Sequence, residues 1–292
     1  MGSPTAAALV VGNEILSGKV HEANVLELAR TLRSLGVVLA RVVVIPDDLE
    51  TIAREAKTLS VAYEFVFTSG GVGVTHDDLT IAGIARAFAV PVVRDPELEA
   101  LLRRHYGNAL HENHLALANV PQGARKLTIE GSPWPLTAIE NVFILPGVPE
   151  IFHRKLSIVR AHLRSSARPF LSRAVFTRLD EAILKPLLDE IVARHSDVEV
   201  GSYPRWGDPT YDTKITFDGQ DEAAVGRALE DFLKLLPPGE PQWIEEGRLS
   251  AAPFLSSASG ASSEHSRPAR DRISFPRPRP FGSSASSLWC SC

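Results

Sequence analysis

The chain has 292 residues, 44% hydrophobic and 23% charged, with a net charge of −4. This is the balance of an ordinary soluble protein, and it excludes a polybasic face for nucleic acid or an acidic membrane surface. AAALVV, the longest apolar run near the start, is too short to span a bilayer and lacks the flanks of a signal peptide, while both cysteines (Cys290, Cys292) stand in the last three residues, so no disulfide or thiolate metal framework precedes them and a cytoplasmic location is expected.

Taken in chain order, ALVVGNEIL opens with a short apolar run that stops at Gly12, the pattern of a buried strand. Asn24 is placed to cap the helix VLELARTLRSLG, whose Leu26, Ala29, Leu32 and Leu35 fall at helical spacing and which Gly36 closes. VVLARVVVIPDD predicts a second strand ended by Pro46, and LETIAREAKTLS a second helix. YEFVFTSG is a third strand, followed by a glycine loop and the helix TIAGIARAFAV. Strand and helix alternate, which predicts a mostly parallel sheet covered by helices on both faces, a three-layer α/β arrangement. Residues 95–118 read as helical. ARKLTIEGSPWPLTAIENVFILPG reads as strand, proline-rich turn and strand, and PEIFHRKLSIVRAHL as a closing helix with Pro149 and Glu150 in its first turn.

After residue 170 the order becomes β-α-β-β-α, which predicts a small separate α+β domain. The boundaries expected are 6–166 for the first domain, 170–246 for the second and 247–292 for a tail. The tail, rich in Ser, Pro, Arg and Ala without any period, reads as disordered.

The stretch TSGGVGVTHDDLT carries the chemistry. Gly70, Gly71 and Gly73 after a strand and before a helix let backbone amides approach a ligand, and the helix N-terminus adds partial positive charge, a combination suited to phosphate. The spacing is neither a Walker A loop nor a Rossmann fingerprint. Thr75-His76-Asp77-Asp78 also matches a capping box, in which Asp78 would merely close a helix end. Against that reading stands Pro46-Asp47-Asp48 at the end of the neighbouring strand, because ligands of parallel α/β sheets bind at the carboxyl ends of strands. Carboxylates facing a phosphate require a bridging divalent cation, Mg²⁺, Mn²⁺ or Co²⁺, held by Asp47 and Asp78 with Asp77 beside them. Ser69, Gly70, Gly71, Gly73 and Thr75 are the candidate ligand contacts of this loop; Gly12, Glu14, Asn24, Pro146 and Gly147 are candidates from the other strand ends.

These motifs resemble the MoaB/MogA-like molybdopterin-binding fold. GNEILSGKVHEAN, VVVIPDD and NVFILPGVPEIF extend the resemblance to its CinA branch, and GSYPRWGDPTYDTKITFD is similar to the segment that follows the molybdopterin-binding-like domain in eukaryotic FAD synthases. The resemblance covers residues 8–246. It implies a MoaB/MogA-type sheet with a KH-like second domain, roles for Asp47 and Asp78, a small-molecule nucleotide or pterin ligand, and assembly as a dimer or trimer. It also implies metal-dependent cleavage of a P–O–P bridge in an ADP-ribose or FAD type substrate. Two other outcomes remain open: a binding module without chemistry, and a MogA-like adenylyltransferase. Val72 and Val74 depart from the family loop, which often has Thr or Leu, and Pro, at these positions.

Other candidates carry weaker signals. His111-Glu112-Asn113-His114 has the wrong spacing for a zinc helix and reads as a solvated helix start. His76 is a phosphate contact, an acid, or simply an exposed side chain. Tyr203 and Trp206, in the turn of the second domain, read as packing residues rather than a binding surface, and without a G-x-x-G loop or a basic run that domain is not expected to bind RNA.

Overall fold

The computed structural model describes residues 3–163 and 168–248. β1 (Thr5–Val11) leads through a single turn, α1 (Asn13–Leu16), into α2 (Asn24–Ser34), β2 (Val38–Ile45), α3 (Leu49–Ala62), β3 (Phe65–Ser69) and α4 (Thr80–Ala87). A short ladder of β4 (Val92–Arg94) with β5 (Asn119–Pro121) brackets α5 (Pro96–Tyr106) and two 3-10 segments, Gly107–Ala109 and Glu112–Ala118. β6 (Arg125–Leu127), β7 (Leu136–Ile139), β8 (Val142–Ile144) and α6 (Pro149–His162) follow.

Six of these strands form one sheet in the order β2-β1-β3-β8-β7-β6. β1 pairs in parallel with β2 and β3, and β3 with β8, whereas β6, β7 and β8 form antiparallel pairs. The sheet is therefore mixed, with a parallel half that carries the strand ends of interest. β1 lies inside it, buried on both faces, which is why TAAALVV shows no polar alternation. Ala6, Ala8 and Phe67 pack with Leu28, Leu32, Phe152 and Leu156 of α2 and α6. The alternate positions Ala7, Leu9, Val11 and Val66 pack with Ile52, Leu59 and Ile84 of α3 and α4. These are the three layers expected from the sequence.

The second unit comprises β9 (Leu171–Thr177), α7 (Glu181–Arg194), β10 (Glu199–Pro204), β11 (Thr213–Gly219), α8 (Glu222–Leu235) and β12 (Trp243–Arg248). Its sheet is antiparallel, ordered β10-β11-β9-β12, over a separate core that includes Val175, Leu184, Phe217, Val225 and Phe232. Arg33, near the end of α2, joins the two units. Its guanidinium lies 3.2 Å from Asp218 and 4.5 Å from the Phe170 ring centroid, and its carbonyl accepts from the Phe170 amide.

Several details differ from the sequence reading. Residues 95–118 are one α-helix and two 3-10 segments rather than a continuous helical region, and His111 and His114 cap the second of these reciprocally. The segment 124–147 holds three strands, not two. β12 was not foreseen; Gly247 and Arg248, expected in the tail, pair with Ser172 and Leu171. The rest of the expected tail, 249–292, lies outside the described residues. Trp206 is 93% exposed and does not pack; Phe176, Tyr211 and Trp243 form the aromatic cluster of this unit instead.

Candidate functional site

Because β1, β2, β3 and β8 run in parallel, their carboxyl ends share one edge of the sheet. Gly12, Asp47, Gly70 and Pro146 all leave the sheet there. The Gly12 amide donates to the Ile45 carbonyl (3.1 Å) and the Asn13 amide to Asp47 Oδ2 (2.8 Å), so β1 and β2 end in a linked pair of loops. Glu14 folds back over Gly12, where a Cβ would stand 2.5 Å from its carboxylate. Asp48, beside Asp47, is spent on capping α3: its side chain accepts from the Thr51 amide at 2.8 Å.

The glycine loop is held from both ends. Gly70 has φ +100°, and a Cβ there would lie 2.1 Å from the Val11 carbonyl oxygen, a position open only to glycine. Thr80 donates its hydroxyl to the Gly70 carbonyl and its amide to the Gly71 carbonyl, both at 2.9 Å. Asp78 closes the loop on itself. Oδ1 accepts from the Gly73 amide (2.7 Å), while Oδ2 accepts from the Thr75 amide (2.7 Å) and the Thr75 hydroxyl (2.5 Å). α4 starts only at Thr80, so Asp78 is a clamp within the loop and not the acid of a helix capping box.

This arrangement reassigns the expected phosphate donors. The amides of Gly73 and Thr75, and the Thr75 hydroxyl, face Asp78. Among the described residues the amides of Val72 and Val74 meet no protein acceptor, and both residues border the cavity described below. Val74 has an N–H that the family's frequent proline would lack. Asp77 is exposed beside His76, itself 96% exposed in its side chain.

Asn24 does not cap α2. It is the first residue of that helix and only 4% exposed, and its amide donates to Ser69 Oγ (2.9 Å) and the Gly147 carbonyl (2.8 Å). It ties the end of β3 to the Pro146–Gly147 turn, where Gly147 sits so close that a Cβ would lie 3.2 Å from Gly70 Cα. Asn24 and Ser69 are thus buried beneath the glycine loop and the Pro146–Gly147 turn and join them.

A cavity of about 520 Å³ opens beside the loop. Gly73, Thr75, Asp78 and Pro146 line it; Gly12, Glu14, Asp47, Gly70, Gly71, Asp77 and Gly147 do not. Its far walls come from α5, the 112–118 segment, β7 and the turn before β7, and they include Tyr106, Leu117 and Trp134. Sequence reasoning missed one residue here. Lys155 of α6 also lines the cavity and donates to the carbonyls of Trp134 (2.8 Å) and Pro135 (2.5 Å); burial pushes its ammonium down to about 8. The available signal was a lysine set against the stripe Phe152, Leu156, Val159, directly after the LPGVP turn.

The fit to a divalent cation is limited. Among the described residues no three His, Cys, Asp or Glu side chains converge. Asp47 keeps Oδ1 without a protein donor, and three of roughly four lone-pair sites of Asp78 are taken. Asp78 borders the cavity and Asp47 does not, so the described residues form no all-protein cage for an ion there.

Residues 7–164 match the family described as "Probable molybdopterin binding domain". The chain belongs to this family. Residues 169–243 match a second one, "FAD synthase, middle domain". A "Probable FAD synthase" of Caenorhabditis elegans is 32% identical over 258 residues, 80% of this chain and 50% of that protein, so the chain spans about half the length of this relative. An Archaeoglobus fulgidus protein is 32% identical over 77% of this chain and 95% of its own length. Among solved structures, the protein CinA of Thermoplasma acidophilum, described as of unknown function, aligns with a TM-score of 0.51 at 29% identity, over 55% of this chain and 98% of that one. No helix among the described residues is long and apolar enough to cross a membrane.

Proposed function

We propose that this chain hydrolyses the P–O–P bridge of an adenine dinucleotide-type substrate such as ADP-ribose or FAD, with Mg²⁺, Mn²⁺ or Co²⁺. The observation that carries this reading is one cavity of about 520 Å³ bordered by Val72 and Val74, whose amides meet no protein acceptor among the described residues, by Asp78 and Lys155, and by Tyr106 and Trp134. The kinship with FAD synthases supports a nucleotide as the ligand. In this reading the Val72 and Val74 amides receive non-bridging phosphate oxygens, and Tyr106 and Trp134 flank the ring. Asp78 keeps the loop in the receiving shape. Asp47 Oδ1 and the remaining lone pair of Asp78 would hold the cation. Such an ion, when bound, neutralises phosphate charge and lowers the pKa of a water. Water then adds to one phosphorus and gives up a proton, the bond from that phosphorus to the bridging oxygen breaks, and the products are AMP and the phosphomonoester of the other half, ribose 5-phosphate from ADP-ribose or FMN from FAD.

A binding module without chemistry is the second reading, favoured by the saturation of Asp78 with loop donors. Incubation with ADP-ribose or FAD separates the two: AMP that appears with metal and disappears with chelator supports hydrolysis, whereas tight binding without AMP supports the module. Asp47→Asn is a cleaner variant than Asp78→Asn. Its amide oxygen can still accept from the Asn13 amide, while Asn at 78 would set an NH₂ against a loop N–H. Undiminished turnover in Asp47→Asn overturns the assignment of Asp47.

A further inference from the structure

We propose that Lys155 is the receptor for a second phosphate of the ligand, so that the cavity selects ligands with two linked phosphates over those with one. The inference rests on the reading of the cavity as a site for a phosphate-bearing ligand, and it concerns a residue on the helix after the Pro146–Gly147 turn rather than the glycine loop.

An ammonium carries three donors and no acceptor. Two of those of Lys155 go to the carbonyls of Trp134 and Pro135, both uncharged, and the third remains for the cavity that Lys155 lines. Among the described residues no carboxylate lies within 4.0 Å of it. The other titratable groups bordering the cavity are Asp78, His105 and Tyr106. Asp78 is engaged with Gly73 and Thr75, and His105 is edge-on to Trp134, with ring centroids 5.3 Å apart. Glu130, in the loop before Trp134, and Glu150 and Arg154, on the helix of Lys155, are all exposed.

A simple staple between α6 and the Trp134–Pro135 turn needs only a hydrogen-bond donor, which a neutral amide supplies. A cation removed from water without a counter-charge is costly, and it is relieved when an anion enters beside it. The neighbouring amides of Val72 and Val74 serve one phosphate; a P–O–P ligand brings the second. The depressed pKa of Lys155, caused by burial, agrees with a charge that lacks a resident partner.

The test is calorimetric titration of the full chain with ADP-ribose and with AMP, in chelator so that no turnover occurs. ADP-ribose keeps a constant pyrophosphate charge between pH 7 and 9.5. The expected result is that Lys155→Met weakens ADP-ribose at least tenfold at pH 7 and AMP much less, and that Lys155→Arg restores most of the loss. Wild-type affinity falls as pH rises past 8, and this fall persists in His105→Gln but is absent from Lys155→Met. Should Lys155→Met fold poorly, the wild-type pH profile and its survival in His105→Gln still decide. Equal affinity of wild type and Lys155→Met, or a flat wild-type profile, overturns the proposal, and so does failure of the wild type to bind ADP-ribose. AMP release under metal with an unaffected Lys155→Met leaves hydrolysis standing and removes Lys155; the reverse pattern removes hydrolysis alone.

Discussion

Replacing Asn24 with Ala tests whether the rim of the sheet is a built platform. Asn24 is 4% exposed and its amide serves two acceptors, Ser69 Oγ at the end of β3 and the Gly147 carbonyl in the turn after β8, two strands that are neighbours in the sheet. A buried polar group left without its partner costs about 1–3 kcal/mol. Gly147 is exposed and its carbonyl can be rehydrated, so most of the cost falls on Ser69, which is 5% exposed. The sum comes to about 2 kcal/mol, with a melting temperature lower by roughly 4–8 °C for a unit of this size. Urea denaturation of wild type, Asn24→Ala, Ser69→Ala and the double variant gives the coupling directly; about 1 kcal/mol is expected between the pair. Turnover or ligand affinity should fall as well, since the knot sets the spacing of two loops. Additive single losses, or an Asn24→Ala variant within 0.5 kcal/mol of wild type by urea titration, would refute the reasoning.

Three more outcomes follow. Gly70→Ala places a Cβ 2.1 Å from the Val11 carbonyl at φ +100°, and the loss should exceed about 3 kcal/mol or leave no folded protein; a normal denaturation midpoint would contradict the loop geometry. Asp95 caps α5 through the Glu97 and Leu98 amides, both at 3.0 Å, and pairs with Lys126 at 2.7 Å, so Asp95→Ala should cost about 1–2 kcal/mol. Burial raises the Asp95 carboxyl, but Lys126 and the two amides outweigh it and the net pKa lies below 3.8; the stabilisation is therefore complete above pH 4 and vanishes as acid protonates the folded state, so the two melting curves should converge at low pH. For Lys155, the folded protein releases its proton near 8 and the unfolded chain near 10.5, so wild type should gain stability relative to Lys155→Met between those values. The gap corresponds to about 3 kcal/mol at full weight and about 1–2 kcal/mol once partial solvent access is allowed for; parallel denaturation curves from pH 7 to 10.5 measure it.

The parallel half of the sheet was legible because TAAALVV, VLARVVVI and FVFTS are apolar runs bounded by turns and separated by amphipathic helices. The strands that escaped notice are short or polar. β4 and β5 have three residues each, too few to show a period, and β12 (WIEEGR) carries two adjacent acids where alternation would be sought. At the site, residue types were readable but their tasks were not. An asparagine before a helix has the same signature whether it caps that helix or reaches a strand 45 residues away. A Thr-x-x-Asp step is the same whether the acid serves a helix end or a loop. Lys155 was hidden for a related reason: a lysine at the margin of an apolar stripe usually extends its head to water, and only the Trp134–Pro135 turn keeps this one inside.

α2 begins at Asn24 under the candidate site and carries Arg33 against Asp218 of the smaller sheet. Nine residues of helix span about 14 Å. One rigid helix therefore carries at one end the buried amide that joins Ser69 to Gly147 and at the other the arginine that meets the smaller sheet.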